Sequence, residues 1–356
     1  MAVEQTEKKP MQTKNKILIG VVSALVIVGV ALGVYFGTKN NDNKSGIANN
    51  DKSLGGSPTT TFGAAPSPTP TPTPTGAPTH GNGTMINGVL FPYYTLTGEA
   101  PAPVGVPGMV YTTCKTPGTF SISFDDGPSI YTSELLDLLD KENIKVTFFV
   151  NGNNQQCIYD PKVQTVLKRA YNSGHQIASH TWSHPQLTKQ TVEGITLEMT
   201  KLEKAFEDVL GVVPRYMRPP YGDGTFGNGN ADDQKVQGTL KNLGYVITTW
   251  DIATGDADID DNTTPHKLTD DALMKSEQNQ YTSVVNAAAK GATHMALHHD
   301  TYERTVKLMA PWAINYVKSL GYKIVPVATC LGDEDPRTWY KKIGPAAATT
   351  PAVCQK

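Results

Sequence analysis

A chain of 356 residues exceeds one average domain, and 31 Lys and Arg against 33 Asp and Glu leave no basic excess. That balance argues against a nucleic-acid partner and suits a neutral polymer better. One folded domain with accessory segments is the economical reading.

Residues 1–16 form a tail carrying Lys8, Lys9, Lys14 and Lys16, and Ile17 to Gly37 then run for 21 residues without a charge. As a helix rising about 1.5 Å per residue, that run spans a hydrocarbon core of roughly 30 Å. Only Lys39 and Lys44 follow it closely, a bias that keeps the N-terminus in the cytoplasm. We therefore expect a cytoplasmic tail, a transmembrane signal anchor over 17–37, and a plasma-membrane protein whose remaining chain is extracellular and faces the cell wall. The alternative is secretion after signal cleavage. A signal peptide's apolar region usually covers about 7 to 15 residues before a small-x-small site, whereas this run is longer and ends in Tyr35, Phe36 and Gly37.

Residues 38–83 are rich in Asn, Gly, Ser, Thr and Pro, and the Pro alternation from Pro66 to Thr75 excludes a helix or an internal strand. They read as a stalk open to O-glycosylation, and Asn43, Asn82 and Asn262 begin Asn-x-Ser/Thr acceptors, which make the protein a candidate glycoprotein. A flank over 84–110 leads into the folded region, 111–336, and a C-terminal extension covers 337–356. Cys114, Cys157, Cys330 and Cys354 are even in number and lie in an oxidising setting, so disulfides are expected. Three connectivities are open. Cys114 precedes the first strong strand and Cys330 follows the last, so a closed barrel favours Cys114–Cys330 with Cys157–Cys354.

Within 111–336, short apolar runs alternate with amphipathic stretches, the pattern of parallel strands joined by helices. The expected strands are Phe120 to Phe124, Val146 to Val150, Gln176 to Ser179, Tyr216 to Arg218, Tyr245 to Thr249, His294 to Leu297 and Lys323 to Val327. Val192, Ile195, Met199, Leu202, Phe206 and Val209 recur at steps of three and four, and Arg304 to Leu320 is patterned alike; both are core-facing helical stripes. The expected fold is α/β, a distorted or incomplete (β/α) barrel of about seven strands, with an open doubly wound sheet as the alternative. Either one places its site at the carboxyl ends of the strands.

Polar clusters fall at those ends: Asp125 and Asp126, His180 and His184, Arg218 with Pro219 to Gly222, and His298 to Asp300. Singly each has a bland reading. Asp-Asp-Gly-Pro is an ordinary turn, and isolated histidines are commonly surface or core residues. Strand ends in a parallel barrel ring one cleft, however, so the four clusters converge. Two His and one Asp make a good divalent-metal triad that leaves positions open for water and substrate. Trp182 reads as packing. His298 receives no catalytic role, because neighbours on a strand point to opposite faces.

Ser123 to Pro128, His180-Thr181-Trp182-Ser183-His184, Arg218 to Gly222 and Leu297 to Asp300 resemble, in order, four motifs of the NodB-type polysaccharide deacetylases. The resemblance covers roughly Phe120 to Leu331. The anchored Pro-Thr stalk and Cys330-Leu331-Gly332 look most like fungal chitin deacetylases. It implies that Asp126, His180 and His184 hold one divalent metal ion, zinc first and Co2+ or Mn2+ as options. It implies Asp125 as general base, His299 as general acid, Arg218 as orienter of Asp125, the Tyr221 N–H as oxyanion donor and Leu297 as part of the acetyl pocket. The implied partner is chitin or another N-acetylglucosamine polymer, with release of acetate.

One motif departs from the family. Where Asp-x-x-Asp-Trp is usual, the chain has Ala253-Thr254-Gly255-Asp256-Ala257. The missing first Asp would help tune the catalytic histidine, so we look to Asp256 or Asp251 for that role and otherwise expect a weaker enzyme. Rival readings are deacetylation of peptidoglycan or acetyl-xylan, and a weakly active wall-binding relative.

Overall fold

The computed structural model describes residues 99–227, 229–257, 270–344 and Cys354, with the backbone of two short strands, Thr84–Ile86 and Val89–Phe91. Every described residue lies within Pro74–Lys356. The expected tail, anchor and stalk, with Asn43, Asn82 and Asn262, lie outside the described residues. Among the described residues, no helix is long and apolar enough to cross a membrane.

Nine parallel strands make one sheet: β1 Val110–Tyr111, β2 Thr119–Asp125, β3 Thr147–Val150, β4 Gln176–Ser179, β5 Tyr216–Met217, β6 Val246–Thr248, β7 Ile252–Ala253, β8 His294–His299 and β9 Lys323–Ile324. Their order is β7-β8-β2-β3-β4-β5-β6-β1, with β9 pairing the start of β2. Only Thr249 to Asp251 separate β6 from β7, yet β6 pairs with β5 and β7 with β8. The segment from Val246 to Ala253 therefore belongs to both ends of the strand order and curls the sheet into a distorted barrel. The expected seven strands are all present, and β1 and β7 are additions of two residues each.

Register decides which side chains face inward. Phe120, Ile122 and Phe124 of β2 pair with His294, Ala296 and His298 of β8, while Ser121, Ser123 and Asp125 pair with Met295, Leu297 and His299. Alternation sends the two sets to opposite faces. Phe120 stacks against Tyr281 and Phe124 packs on Phe148 and His298. The aromatic set thus faces the helices, and the Ser/Asp set faces the lumen.

The helices are α1 Thr132–Lys141, α2 Pro161–Asn172, α3 Val192–Leu210, α4 Ala231–Asn242, α5 Asp270–Ala287 and α6 Ala310–Ser319. Side-chain caps set three starts: Asp160 accepts from the Lys162 N–H, Thr191 from Gly194 and Asn230 from Asp233, each filling an otherwise unpaired donor. Gly211 ends α3 in the left-handed region, at φ 70°, where a glycine has no side chain to clash. The α3 stripe buries Ile195, Met199, Leu202, Phe206 and Val209, but Val192 is 47% exposed, a correction to the expected stripe, since the first helical residue overhangs the core. Arg304 to Ser319 is helical but is interrupted after Arg304 by a π-turn, Thr305–Met309, with Leu320 as the cap; Pro311, lacking an N–H, cannot continue a regular ladder there. The last expected strand stops at Ile324, and Val327–Cys330 is a helical turn after Pro326.

Cys114 bonds Cys330 and Cys157 bonds Cys354, the favoured pairing. The first bridge ties the approach to β2 to the chain beyond β9.

Candidate active site

The loops after β2, β4 and β5 are forced into unusual backbone. Among the described residues only five non-glycines have clearly positive φ: Asp126, Thr181, His184 and Tyr221 lie in these loops, and Asn143 lies elsewhere. Side chains seldom adopt that region at no cost, and such strain gathers at functional sites. Gly127 follows Asp126 because a Cβ there would collide with the Asp300 carboxylate.

These turns gather three ligand-type side chains. Asp126 Oδ1 lies 3.1 Å from His184 Nε2 and 3.5 Å from His180 Nε2, and the three candidate ligand atoms all fall within 4.8 Å of one another. The His180 ring is aimed from behind, with Nδ1 2.7 Å from the Arg218 carbonyl, which leaves Nε2 toward Asp126. Burial and the neighbouring His184 hold His180 well below the usual imidazole range, and burial lowers His184 against the opposing pull of Asp126. Both are therefore neutral, the state in which imidazole ligates a metal.

Asp125 is oriented differently. Its Oδ1 accepts from Arg218 Nη1 at 2.7 Å, while Oδ2 turns toward His180, 3.8 Å away. Arg218 is fully buried, donates also to Ser123 Oγ and the Thr249 carbonyl at 2.8 Å each, and lies 4.1 Å over the Phe149 ring. Burial lifts the Asp125 carboxyl to about 6 against the pull of Arg218 and His299, with Asp126 adding to the rise.

Across the register from Asp125 stands His299. Its Nδ1 lies 2.8 Å from Asp256 Oδ1, and its backbone N–H donates to Asp256 Oδ2 at 2.8 Å. Although burial opposes it, ionised His299 draws the Asp256 carboxyl well below its ordinary value, so Asp256 is an anion and Nδ1 carries the proton. Burial likewise opposes the imidazolium, yet Asp256, helped by Asp125 and Asp126, raises His299 to about 9.

Of the two carboxylates considered for the tuning role, Asp256 is the one that contacts His299. Asp251 does not reach His299. It pairs opposite Met295, accepts that residue's N–H at 2.7 Å and meets His294 Nδ1 at 2.5 Å, on the outer face and five residues upstream. Tyr221 is 61% exposed on the rim and packs edge-on to His184 at 4.7 Å. Leu297 lies in the lumen two residues before His299. His298 packs outward on Phe124 and Tyr281, and Trp182 is buried, as expected of packing residues.

Several supports escaped the sequence reading. Buried Asn151 donates to the carbonyls of His180, at 2.5 Å, and Thr181, at 3.0 Å. Asn154 reaches Asp126 Oδ1 at 3.4 Å. Glu198 accepts from the Ser183 N–H and Oγ at 2.7 and 2.8 Å. Asn151 follows the end of β3 as Asp125 ends β2, so the strand-end rule that found the aspartates also picks it out.

The sequence pattern of the polysaccharide deacetylase family matches residues 112–247. A chitin deacetylase of Pestalotiopsis sp is 41% identical over 237 residues, which cover 67% of this chain and 71% of that one. The chitin deacetylase of Colletotrichum lindemuthianum is 33% identical over 239 residues, 67% of this chain and 88% of the other. The solved structure of the chitin deacetylase from that fungus aligns with a TM-score of 0.57 at 32% identity, covering 66% of this chain and 96% of that one. Fold, site and relatives together define a deacetylase. More particularly, the chain belongs to the polysaccharide deacetylase family.

Proposed function

We propose that this enzyme removes N-acetyl groups from N-acetylglucosamine units of chitin or its oligomers, releasing acetate. One observation carries the reading: an Asp126/His180/His184 cluster lies at the same barrel end as two differently tuned pairs, Asp125 with Arg218 and His299 with Asp256. The fungal relatives named chitin deacetylases support the substrate.

Two neutral imidazoles and a carboxylate suit a divalent ion, zinc foremost. When bound, such an ion supplies Lewis acidity to the acetamide carbonyl and acidifies the attacking water. Asp126, His180 and His184 would hold it. Asp125, with Oδ1 fixed by Arg218, offers Oδ2 as the base that takes the water's proton. The oxygen adds to the carbonyl carbon, and the Tyr221 N–H stabilises the resulting oxyanion. His299, with Nδ1–H tied to Asp256, gives the proton on Nε2 to the departing nitrogen as the C–N bond breaks. Acetate and a free amine result, and Leu297 borders the methyl group.

The segments outside the described residues complete the proposal: a cytoplasmic tail over 1–16, a signal anchor over 17–37 and a stalk over 38–83, which place the 111–336 domain outside the plasma membrane, facing the wall. The test is acetate release from chitin oligomers by the soluble domain, with and without chelator. Zinc-restorable release supports the reading. Release indifferent to thorough metal removal refutes the mechanism, and activity confined to peptidoglycan or acetyl-xylan refutes the substrate.

A further inference from the structure

Asp256 has a second partner that the mechanism above does not use. Its Oδ2 accepts from Thr305 Oγ1 at 2.8 Å, beside the bond from the His299 backbone. Thr305 is fully buried. In an ordinary helix, a threonine hydroxyl often bonds back to a carbonyl one turn earlier. Here it is aimed sideways, at the carboxylate that holds the general acid.

The local structure explains the aim. Thr305 opens the π-turn, whose width is set by the Ala310 N–H reaching back five residues to the Thr305 carbonyl. The preceding residue, Arg304, is pinned in turn. Its Nε and Nη2 donate to Glu277 Oε1 of α5 at 3.0 and 2.9 Å, and both side chains are nearly or wholly buried. A π-turn inside a helix is uncommon and is often found at functional sites.

We propose that Thr305 is a positioning residue: its hydroxyl, held by the π-turn and the Arg304–Glu277 pair, fixes the Asp256 carboxylate so that Oδ1 meets His299 Nδ1. His299 contacts both carboxylate oxygens from β8, and Thr305 adds a second donor to Oδ2 from a different element, so the carboxylate is braced against the helix as well as tied to the residue it positions. A general acid also works only while its ring faces the leaving nitrogen.

The inference rests on the proposed role of His299, and the test separates the two. Thr305→Val keeps the shape and removes the donor, while Thr305→Ser keeps the donor. We expect Thr305→Val to lower kcat about ten-fold, toward the lower end of what one hydrogen bond to a charged group supports, with KM and zinc affinity unchanged. Thr305→Ser should stay within about two-fold of the parent. The second readout is the proton resonance of His299 Nδ1–H in the zinc-free protein, expected far downfield in the parent and in Thr305→Ser, and lost to exchange in Thr305→Val. This resonance reports the geometry whether or not the protein releases acetate, and it can be read below the melting temperature of a weakened variant. A Thr305→Val protein that keeps both the resonance and its kcat overturns the proposal. So does a Thr305→Ser protein as impaired as Thr305→Val.

Discussion

Asp256→Asn removes the anion beside His299 while leaving every candidate metal ligand in place. With Asp256 ionised, His299 stands at about 9 against an ordinary 6.5. Burial works in the opposite direction and Asp125 and Asp126 are the smaller raising influences, so without the Asp256 carboxylate the imidazolium should titrate well below 9, toward the ordinary 6.5. A general acid serves only when protonated, so the alkaline limb of the rate profile should fall with it. At about pH 8, a group of pKa 9 is roughly nine-tenths protonated and one of 6.5 only about three-hundredths. The expected loss at that pH therefore approaches about thirty-fold, shrinking toward pH 6. The assay is kcat/KM for acetate release from a chitin oligomer across pH, with zinc occupancy measured at each point. An Asp256→Asn enzyme with full occupancy and an unmoved alkaline limb would refute the assignment of Asp256 to His299.

Ala253→Asp should leave that same limb where it is, because Asp256 already engages His299; an upward shift would show that the tuning was incomplete. Asp125→Asn should keep its zinc, measured by metal analysis, while kcat drops about 10² or more; loss of zinc at an unchanged rate per bound ion would reverse the roles of the two aspartates. His184→Ala should weaken zinc binding in a competition titration and lower turnover in step with occupancy. Replacing Cys114 and Cys330 together by Ser should cost about 2–5 kcal/mol in denaturant unfolding, with kcat of the folded fraction retained.

The sequence made legible what repeats or clusters. Seven strands were readable because each is an apolar run, and the site was readable because its acids, histidines and arginine directly follow those runs. β1 and β7 have two residues each, too few for any period to register. What remained hidden depends on register. Asp251 and Asp256 are equally plausible neighbours of a histidine along the chain, and only the pairing of β7 with β8 sends one to His294 and the other to His299. Glu198 and Thr305 make hydrogen bonds to loops distant in sequence, which composition does not reveal. Val192 shows the opposite failure, a stripe extended one residue past the core.

The segment from Val246 to Ala253 has a consequence for when this enzyme becomes competent. Arg218 leaves the barrel on one side of that segment and His299 on the other, and Asp256 lies three residues beyond its end. Asp125 meets Arg218 across 93 residues of chain and His299 across the β2–β8 pairing. Contacts so distant in sequence close late, because the entropy of bringing the ends together precedes any gain from joining them. Pairing of β2, β3 and β4 is what brings the Asp126 end of β2 beside the His180 end of β4, whereas His299 reaches Asp125 only through the β2–β8 pairing. A chain with only the first of these pairings made could capture a metal ion before it can turn over substrate. Competence would then arrive with ring closure.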